Sequence, residues 1–271
     1  MERKSFPSTD SAKRIFFKRL IPPLVILWAF LLSPEARADR KIFAFPYPYT
    51  TMPKGGFEIE HYLDLKLAEY DDPKTSEKEK GFAPAWDQQF EFEYGITDHL
   101  DFGFYNVFRQ EAYDSLKYRG PKLRFMYRFG ERDDFFIDPA IYLEGAYFGE
   151  EYELEQRIIL SKVIGAVETS LNLKFEEEFE RENGETEFEF VFNPTFGVGY
   201  HFSEAFVLGV EYFGHMEVVE GEMEHFAHFV GPSISLAGSH FYWVLTFQPQ
   251  ITSEREEHPN FQARSIFGII F

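Results

Sequence analysis

The chain has 271 residues, no cysteine, 34 Phe among its 19% aromatic residues, and a formal net charge of -19. Lacking cysteine, it has neither a disulfide framework nor a thiolate metal site. Its acidic balance leaves no basic surface for nucleic-acid phosphates. Its phenylalanines alternate with glutamates instead of clustering apart from them.

Residues 1–38 read as a cleavable signal peptide. Lys13, Arg14, Lys18 and Arg19 form a basic region, an apolar run follows from Leu20 to Leu32, and Ala36-Arg37-Ala38 supplies a small-x-small cleavage site. As a membrane anchor the run is short, since spanning takes about 20 apolar residues, and Pro22-Pro23 interrupts it. Residues 1–38 carry seven basic and three acidic groups, so cleavage would take the net charge from -19 to -23. Export also suits a chain without thiols.

Residues 39–54 hold three prolines and no steady period. They read as an extended lead-in on the periplasmic side. Residues 55–271 carry a period of two, the mark of strands with one apolar and one polar face. Phe90, Phe92 and Tyr94 alternate with Glu91 and Glu93; Leu171, Leu173 and Phe175 alternate with Asn172 and Lys174; Phe188, Phe190 and Phe192 alternate with Glu189 and Val191. Twelve such segments are predicted, near 57–70, 86–97, 100–113, 117–130, 135–149, 152–164, 166–180, 186–201, 205–218, 225–237, 239–252 and 261–271. Short turns at 97–99, 131–133, 164–165, 203–204 and 238–239 alternate with longer or more charged connections at 71–85, 113–117, 149–152, 181–186, 218–224 and 252–260. Outer-membrane barrels show this asymmetry of tight periplasmic turns and longer outer loops, and an even strand number puts both ends on the periplasmic side.

Alternation alone fits a soluble sandwich as well as a membrane barrel. Three features favour the membrane. The strands are long, where about 9–11 residues suffice to span. Phe and Tyr dominate the apolar face, as aromatic girdles require. The chain ends Ile269-Ile270-Phe271, an aromatic closing an alternating strand, which is similar to a recognition signal for the barrel-assembly machinery. The predicted fold is all-β, a closed antiparallel transmembrane β-barrel of about 12 strands in the outer membrane.

Tyr94-Gly-Ile-Thr-Asp-His-Leu-Asp-Phe-Gly-Phe-Tyr105, Ile159-Leu-Ser-Lys-Val-Ile-Gly-Ala166 with Ser170-Leu-Asn-Leu173, and Phe196-Gly-Val-Gly-Tyr-His-Phe-Ser-Glu-Ala-Phe-Val-Leu-Gly-Val-Glu211 together resemble the outer-membrane family labelled for the MetA pathway of phenol degradation, a transporter-like family. The resemblance covers most of residues 39–271 and implies a barrel with a channel or uptake role.

With the apolar face toward lipid, the alternating polar residues line the lumen. The acidic ones are Glu58, Glu60 and Asp64 on the first strand, Glu91 and Glu93 on the second, Asp138 and Glu144 on the fifth, Glu176 and Glu178 on the seventh, Glu187 and Glu189 on the eighth, and Glu211 on the ninth. Lys122, Arg124 and Arg128 form a basic stripe on the fourth strand, with Arg109, Arg157, Lys174 and Arg264 elsewhere. Such a wall either selects small solutes by charge in a water-filled pore or pairs into a ladder that plugs a structural or surface-interaction barrel. Twelve strands lie between the filled eight-stranded and the open sixteen-stranded cases.

A membrane-embedded hydrolase is the weaker reading. His201 and Ser203 share a face but sit at a turn with no acid fixed by spacing, and no Gly-x-Ser-x-Gly run occurs. Repeated glutamate pairs such as Glu187/Glu189 suit a wall better than a glycosidase pair. His225 and His228 fall on opposite strand faces, and His215 and His225 flank a loop with Glu222 and Glu224. No enzyme activity, cofactor or metal is assigned. Lipid and lipopolysaccharide are the expected surroundings, met by charged outer loops such as 71–74 and 254–257.

Overall fold

A computed structural model describes residues 41–71, 80–182, 185–219, 222–253 and 258–271. The predicted signal segment, 1–38, lies outside them. Twelve antiparallel strands form a closed barrel: β1 (Phe57–Asp71), β2 (Lys80–Thr97), β3 (Leu100–Gln110), β4 (Lys117–Arg128), β5 (Asp138–Tyr147), β6 (Glu151–Ile164), β7 (Val167–Glu182), β8 (Glu185–Ser203), β9 (Phe206–Val219), β10 (Glu222–Ala237), β11 (Phe241–Pro249) and β12 (Phe261–Ile270). Each strand pairs with its sequence neighbours, and β1 pairs with β12 from Glu58↔Ile270 to Leu67↔Phe261. At the seam Phe271 N donates to Phe57 O at 2.9 Å. Closure gives every strand two partners, as a structure surrounded by hydrocarbon must.

Side-chain orientation follows the period of two and inverts a soluble core. On β5, Ala140, Tyr142, Glu144 and Ala146 are buried, whereas Ile141, Leu143 and Tyr147 are exposed. Leu143 is 50% exposed beside Glu144 at 5%, the reverse of a water-soluble sandwich. Phe92, Phe125, Ile158, Val210, Trp243 and Phe267 continue the exposed apolar band.

The strand ends differ from prediction chiefly in four places. β2 starts at Lys80 rather than 86, because pairing with β1 continues to Asp71↔Lys80. The loops expected at 181–186 and 218–224 are largely strand, with Glu182 opposite Glu185 and Val219 opposite Glu222. The sequence between the first pair is Asn183-Gly184, a combination favoured in two-residue hairpins. Conversely, the short turn expected at 131–133 is a nine-residue connection, so β5 begins at Asp138 and Phe136 is 92% exposed. Asp133 takes φ 70° there. The Asp138 carboxylate accepts the Asp133 N–H at 2.9 Å and that of Asp134 accepts the Glu131 N–H at 2.8 Å, which holds the chain in a turn instead of a strand.

The lipid-facing assignment has a direct check. Leu143→Arg places a charge mid-strand on the apolar band, and about 2–4 kcal/mol of stability should be lost in a bilayer. Denaturant titration of the refolded protein measures it. A loss below about 0.5 kcal/mol, the range of ordinary surface substitutions, would mean that this face does not meet hydrocarbon.

Candidate functional site

The lumen contains the chain's own N-terminal segment. Residues 39–54 were expected outside the barrel as a periplasmic lead-in. Instead residues 41–49, 51 and 52 are buried, and Pro53 and Lys54 emerge at the rim of short turns. Ile42 and Phe43 pack on Val207, near the start of β9. Phe45 meets Phe213 at 5.0 Å between ring centroids, six residues further along β9, or about 20 Å at about 3.3 Å per residue. The chain then turns back. Tyr47 and Tyr49 cluster with Met126, Ala140, Tyr142 and Ile159, Thr51 Oγ1 donates to Asp98 O at 2.9 Å, and Met52 N donates to Asp101 at 3.0 Å. The segment therefore enters and leaves by the same rim.

Its burial without regular structure is a hydrogen-bonding problem, and wall side chains solve it. The Glu211 carboxylate accepts the Ala44 and Phe45 N–H groups, each at 2.9 Å. Asn172 accepts the Tyr47 N–H at 2.7 Å and returns a bond to Tyr47 O at 3.0 Å, which Ser170 Oγ also reaches at 2.6 Å. Pro46, Pro48 and Pro53 have no N–H to satisfy. Gly197 makes room: a Cβ there would lie 2.8 Å from the Phe43 ring.

Beneath the segment lies a buried charge cluster. Arg124, 1% exposed, binds Glu91 through Nε at 2.6 Å, and binds Glu93 and Asp101 through its terminal nitrogens. Glu60 lies directly opposite Glu91 on the neighbouring strand, and Glu58 opposite Glu93. Lys41 Nζ contacts Glu60 and lies 3.5 Å from Glu91. Tyr62 donates to Glu60 at 2.8 Å or Glu91 at 3.0 Å, and Tyr242 donates to Glu60. Burial by itself would pull the Lys41 ammonium down, but the Glu60 and Glu91 carboxylates outweigh it and hold it well above the usual lysine range.

The other half of the lumen is a cavity of about 340 Å³ on the side of the longer connections. Its cations stand beside carboxylates: Arg264 on Asp64 at 2.6 Å, Arg109 and Lys66 on Asp87 at 2.8 and 3.0 Å, Lys122 on Glu144 at 3.2 Å and Glu153 at 3.1 Å, and Lys174 on Glu155 at 3.0 Å and Glu176 at 2.6 Å. Arg157 pairs with Glu155 at 2.6 Å and lies over the Tyr47 ring at 4.5 Å. Phe45 lies under Arg264 at 4.3 Å, so the segment forms part of the cavity floor. On one flank Glu153, Glu178 and Glu189 stand in a row across β6, β7 and β8, an arrangement of like charges that is destabilising unless screened.

Three of the wall residues expected from the sequence are placed elsewhere. Glu187 is exposed at the outer end of β8, because β7 and β8 continue beyond the enclosed lumen. Arg128 reaches along the turn rim to Asp98 O at 2.8 Å and Glu131 at 2.7 Å. Asp138 ties the rim connection, as described above, because the strand starts later than predicted. Asp87, Asp101 and Glu155 were not singled out although they share the period of their neighbours. Nor were Tyr62, Tyr105, Tyr142 and Tyr242, although each shares the period of the lumen face on its strand. Lys41 had no such signal.

The other sequence candidates do not converge. His201 Nε2 lies 2.9 Å from Glu168, while Ser203 Oγ accepts the Ala205 N–H at 3.3 Å. His228 Nδ1 meets Tyr212 OH at 2.6 Å, and His215 Nδ1 meets Asn193 at 2.9 Å. The side chains of Glu222, Glu224 and His225, and the loop residues 72–74 and 254–257, lie outside the described residues.

Against known proteins, residues 150–266 match a family model described as a family of unknown function, DUF6662. No curated protein matches the chain in sequence. Among solved structures, the COG4313 outer membrane channel from Pseudomonas putida F1 aligns with a TM-score of 0.62 at 10% identity, covering 83% of this chain and 99% of that one. The translocator domain of autotransporter NalP from Neisseria meningitidis aligns at 0.49 and 10% identity, covering 80% and 89%. The NanC porin aligns at 0.49 and 7% identity, covering 79% and 98%. The fold is that of an outer-membrane β-barrel.

Two outcomes follow for the cluster. Arg124→Met leaves Glu91, Glu93 and Asp101 buried without their shared guanidinium, and about 3–5 kcal/mol should be lost, read as a lower denaturant midpoint; an unchanged midpoint would contradict the cluster. Because the Lys41 pKa is raised, its contribution is fully present below the unfolded lysine value, about 10.4, and is lost only as pH rises through the higher folded value. Protection of residues 41–52 from protease should therefore be unchanged between about pH 7 and pH 10; release within that window would contradict the Lys41 contact.

Proposed function

We propose that this protein passes small polar solutes across the outer membrane through a charged lumen, and that its own N-terminal segment holds the lumen shut in the ground state. The observation that carries the reading is the path of residues 41–52, which occupy the lumen yet enter and leave by one rim. A segment arranged this way can be withdrawn without unthreading it through the barrel. The wall groups that bind it, Glu211, Asn172 and Ser170, are polar and can return to water. The 340 Å³ cavity serves as the outer vestibule, with the rim of short turns facing the periplasm. The architecture shared with an outer membrane channel and the sequence resemblance to the transporter-like MetA-labelled family support the same role. Phe271, exposed beside the β1–β12 seam, is available as the assembly signal.

The competing reading is a permanently plugged structural barrel, favoured by the net of Arg124, Glu91, Glu93 and Asp101, which ties wall to wall without the segment's help.

Planar-bilayer recording separates the two. The full chain should be nearly silent, and a variant lacking residues 41–52 should conduct steadily with cation preference. Glu153→Gln/Glu178→Gln in that variant should weaken the preference. A folded, inserted deletion variant that remains silent would support the permanently plugged barrel.

A further inference from the structure

The buried charge cluster holds an imbalance that the wall alone cannot resolve. Five carboxyls, from Glu58, Glu60, Glu91, Glu93 and Asp101, face Arg124 and Lys41, and of these two cations only Arg124 belongs to the wall. Carboxylate oxygens of Glu60, Glu91 and Glu93 lie within 4.8 Å of one another, and all three residues are buried. A second observation lies beside this group, next to Glu93 and Lys41. Glu58 is 2% exposed, and its Oε1 has no hydrogen-bond partner. Together with Glu93, Lys41, Arg124 and Tyr242, Glu58 lines a cavity of about 20 Å³, the size that holds one water or one small ion.

We propose that Glu60, Glu91 and Glu93, with Glu58 beside them, form a binding site for a divalent cation of the calcium or magnesium kind, filled by the Lys41 ammonium while the barrel is shut. The donor set is anionic oxygen, which suits hard cations. When the segment leaves, Lys41 leaves with it, and five carboxyls face one guanidinium in a poorly solvated wall. Charges buried in that ratio must be neutralised, by protons or by a counter-ion, and the place that Lys41 vacates suits the ion. Lys41 and the free cation then compete for one place, so divalent cations on the periplasmic side hold the barrel open. The proposal rests on the reading that the N-terminal segment can leave the lumen.

The test uses the refolded variant lacking residues 41–52, the same variant with Glu60→Gln/Glu91→Gln, and the full chain. Terbium serves as the calcium probe, with luminescence excited through the tyrosines that contact Glu60. Calcium competition and titration calorimetry count the ions, and bilayer conductance is recorded on the same preparations. One ion per chain in the deletion variant, no ion in the full chain, and loss of binding on adding the glutamine pair support the proposal. Absence of binding in a folded, conducting deletion variant would overturn it, because the carboxyls would then be neutralising by proton uptake. Binding that the glutamine pair leaves unchanged would also overturn it. Binding in a folded deletion variant that does not conduct would uphold the cation site and remove the transport reading instead. If the deletion variant does not refold, Lys41→Ala in the full chain takes its place: one bound ion supports the proposal and none overturns it.

Discussion

A barrel that turns phenylalanine outward has to place its charges inward, where each must find a partner in a space with little water. Most of the structure follows from that constraint. Closure of β1 on β12 satisfies the backbone. The lumen then holds the chain's glutamates, far more acid than the strands supply in base. Part of the answer is pairing across the wall, as in Arg124 with three carboxylates and Arg264 with Asp64. Another part comes from the N-terminal segment, which brings Lys41 to Glu60 and two backbone N–H groups to Glu211.

In the proposed gating the segment is both a stopper and a set of partners for the wall, held by buried side chains as well as by hydrogen bonds. A hydrogen bond to a charged group contributes about 1.5–3 kcal/mol net, and the bonds to Glu211 are of this kind. Moving a two-state equilibrium from one side to the other takes about 5.5 kcal/mol of differential binding. The proposed withdrawal would have to replace these bonds and the buried packing of residues 41–52 with water, ions or solute. In that withdrawal the wall-to-wall net of Arg124 would stay behind and keep the barrel's shape.

The strands were legible in the sequence because a period of two is a local property and lipid enforces it on every strand. All twelve segments expected from alternation are strands. Their ends were less legible, since Asp71↔Lys80 and Glu182↔Glu185 continue pairing through charged stretches that read as loops. Alternation puts Tyr62, Tyr105, Tyr142 and Tyr242 on the lumen face, but their hydroxyl partners were not legible: Tyr62, Tyr105 and Tyr242 reach Glu60, Glu91 or Arg124, and Tyr142 reaches Glu144. The position of residues 41–52 was not legible at all. Two prolines and no period describe a segment without strand or helix, inside the barrel or outside it. What decides is contact across long stretches of chain, such as Tyr47 with Asn172, 125 residues apart.

The most direct test of the account is a crosslink between the segment and the wall. The chain has no cysteine, so Phe43→Cys/Gly197→Cys gives a single pair where the Phe43 ring now faces Gly197. In bilayers this pair should oxidise to an intrachain disulfide and the oxidised protein should be fully silent, whereas the reduced protein should show the rare openings of the unmodified chain. Failure of the pair to crosslink in folded, inserted protein, or steady conductance through the oxidised protein, would contradict a lumen closed by its N-terminal segment.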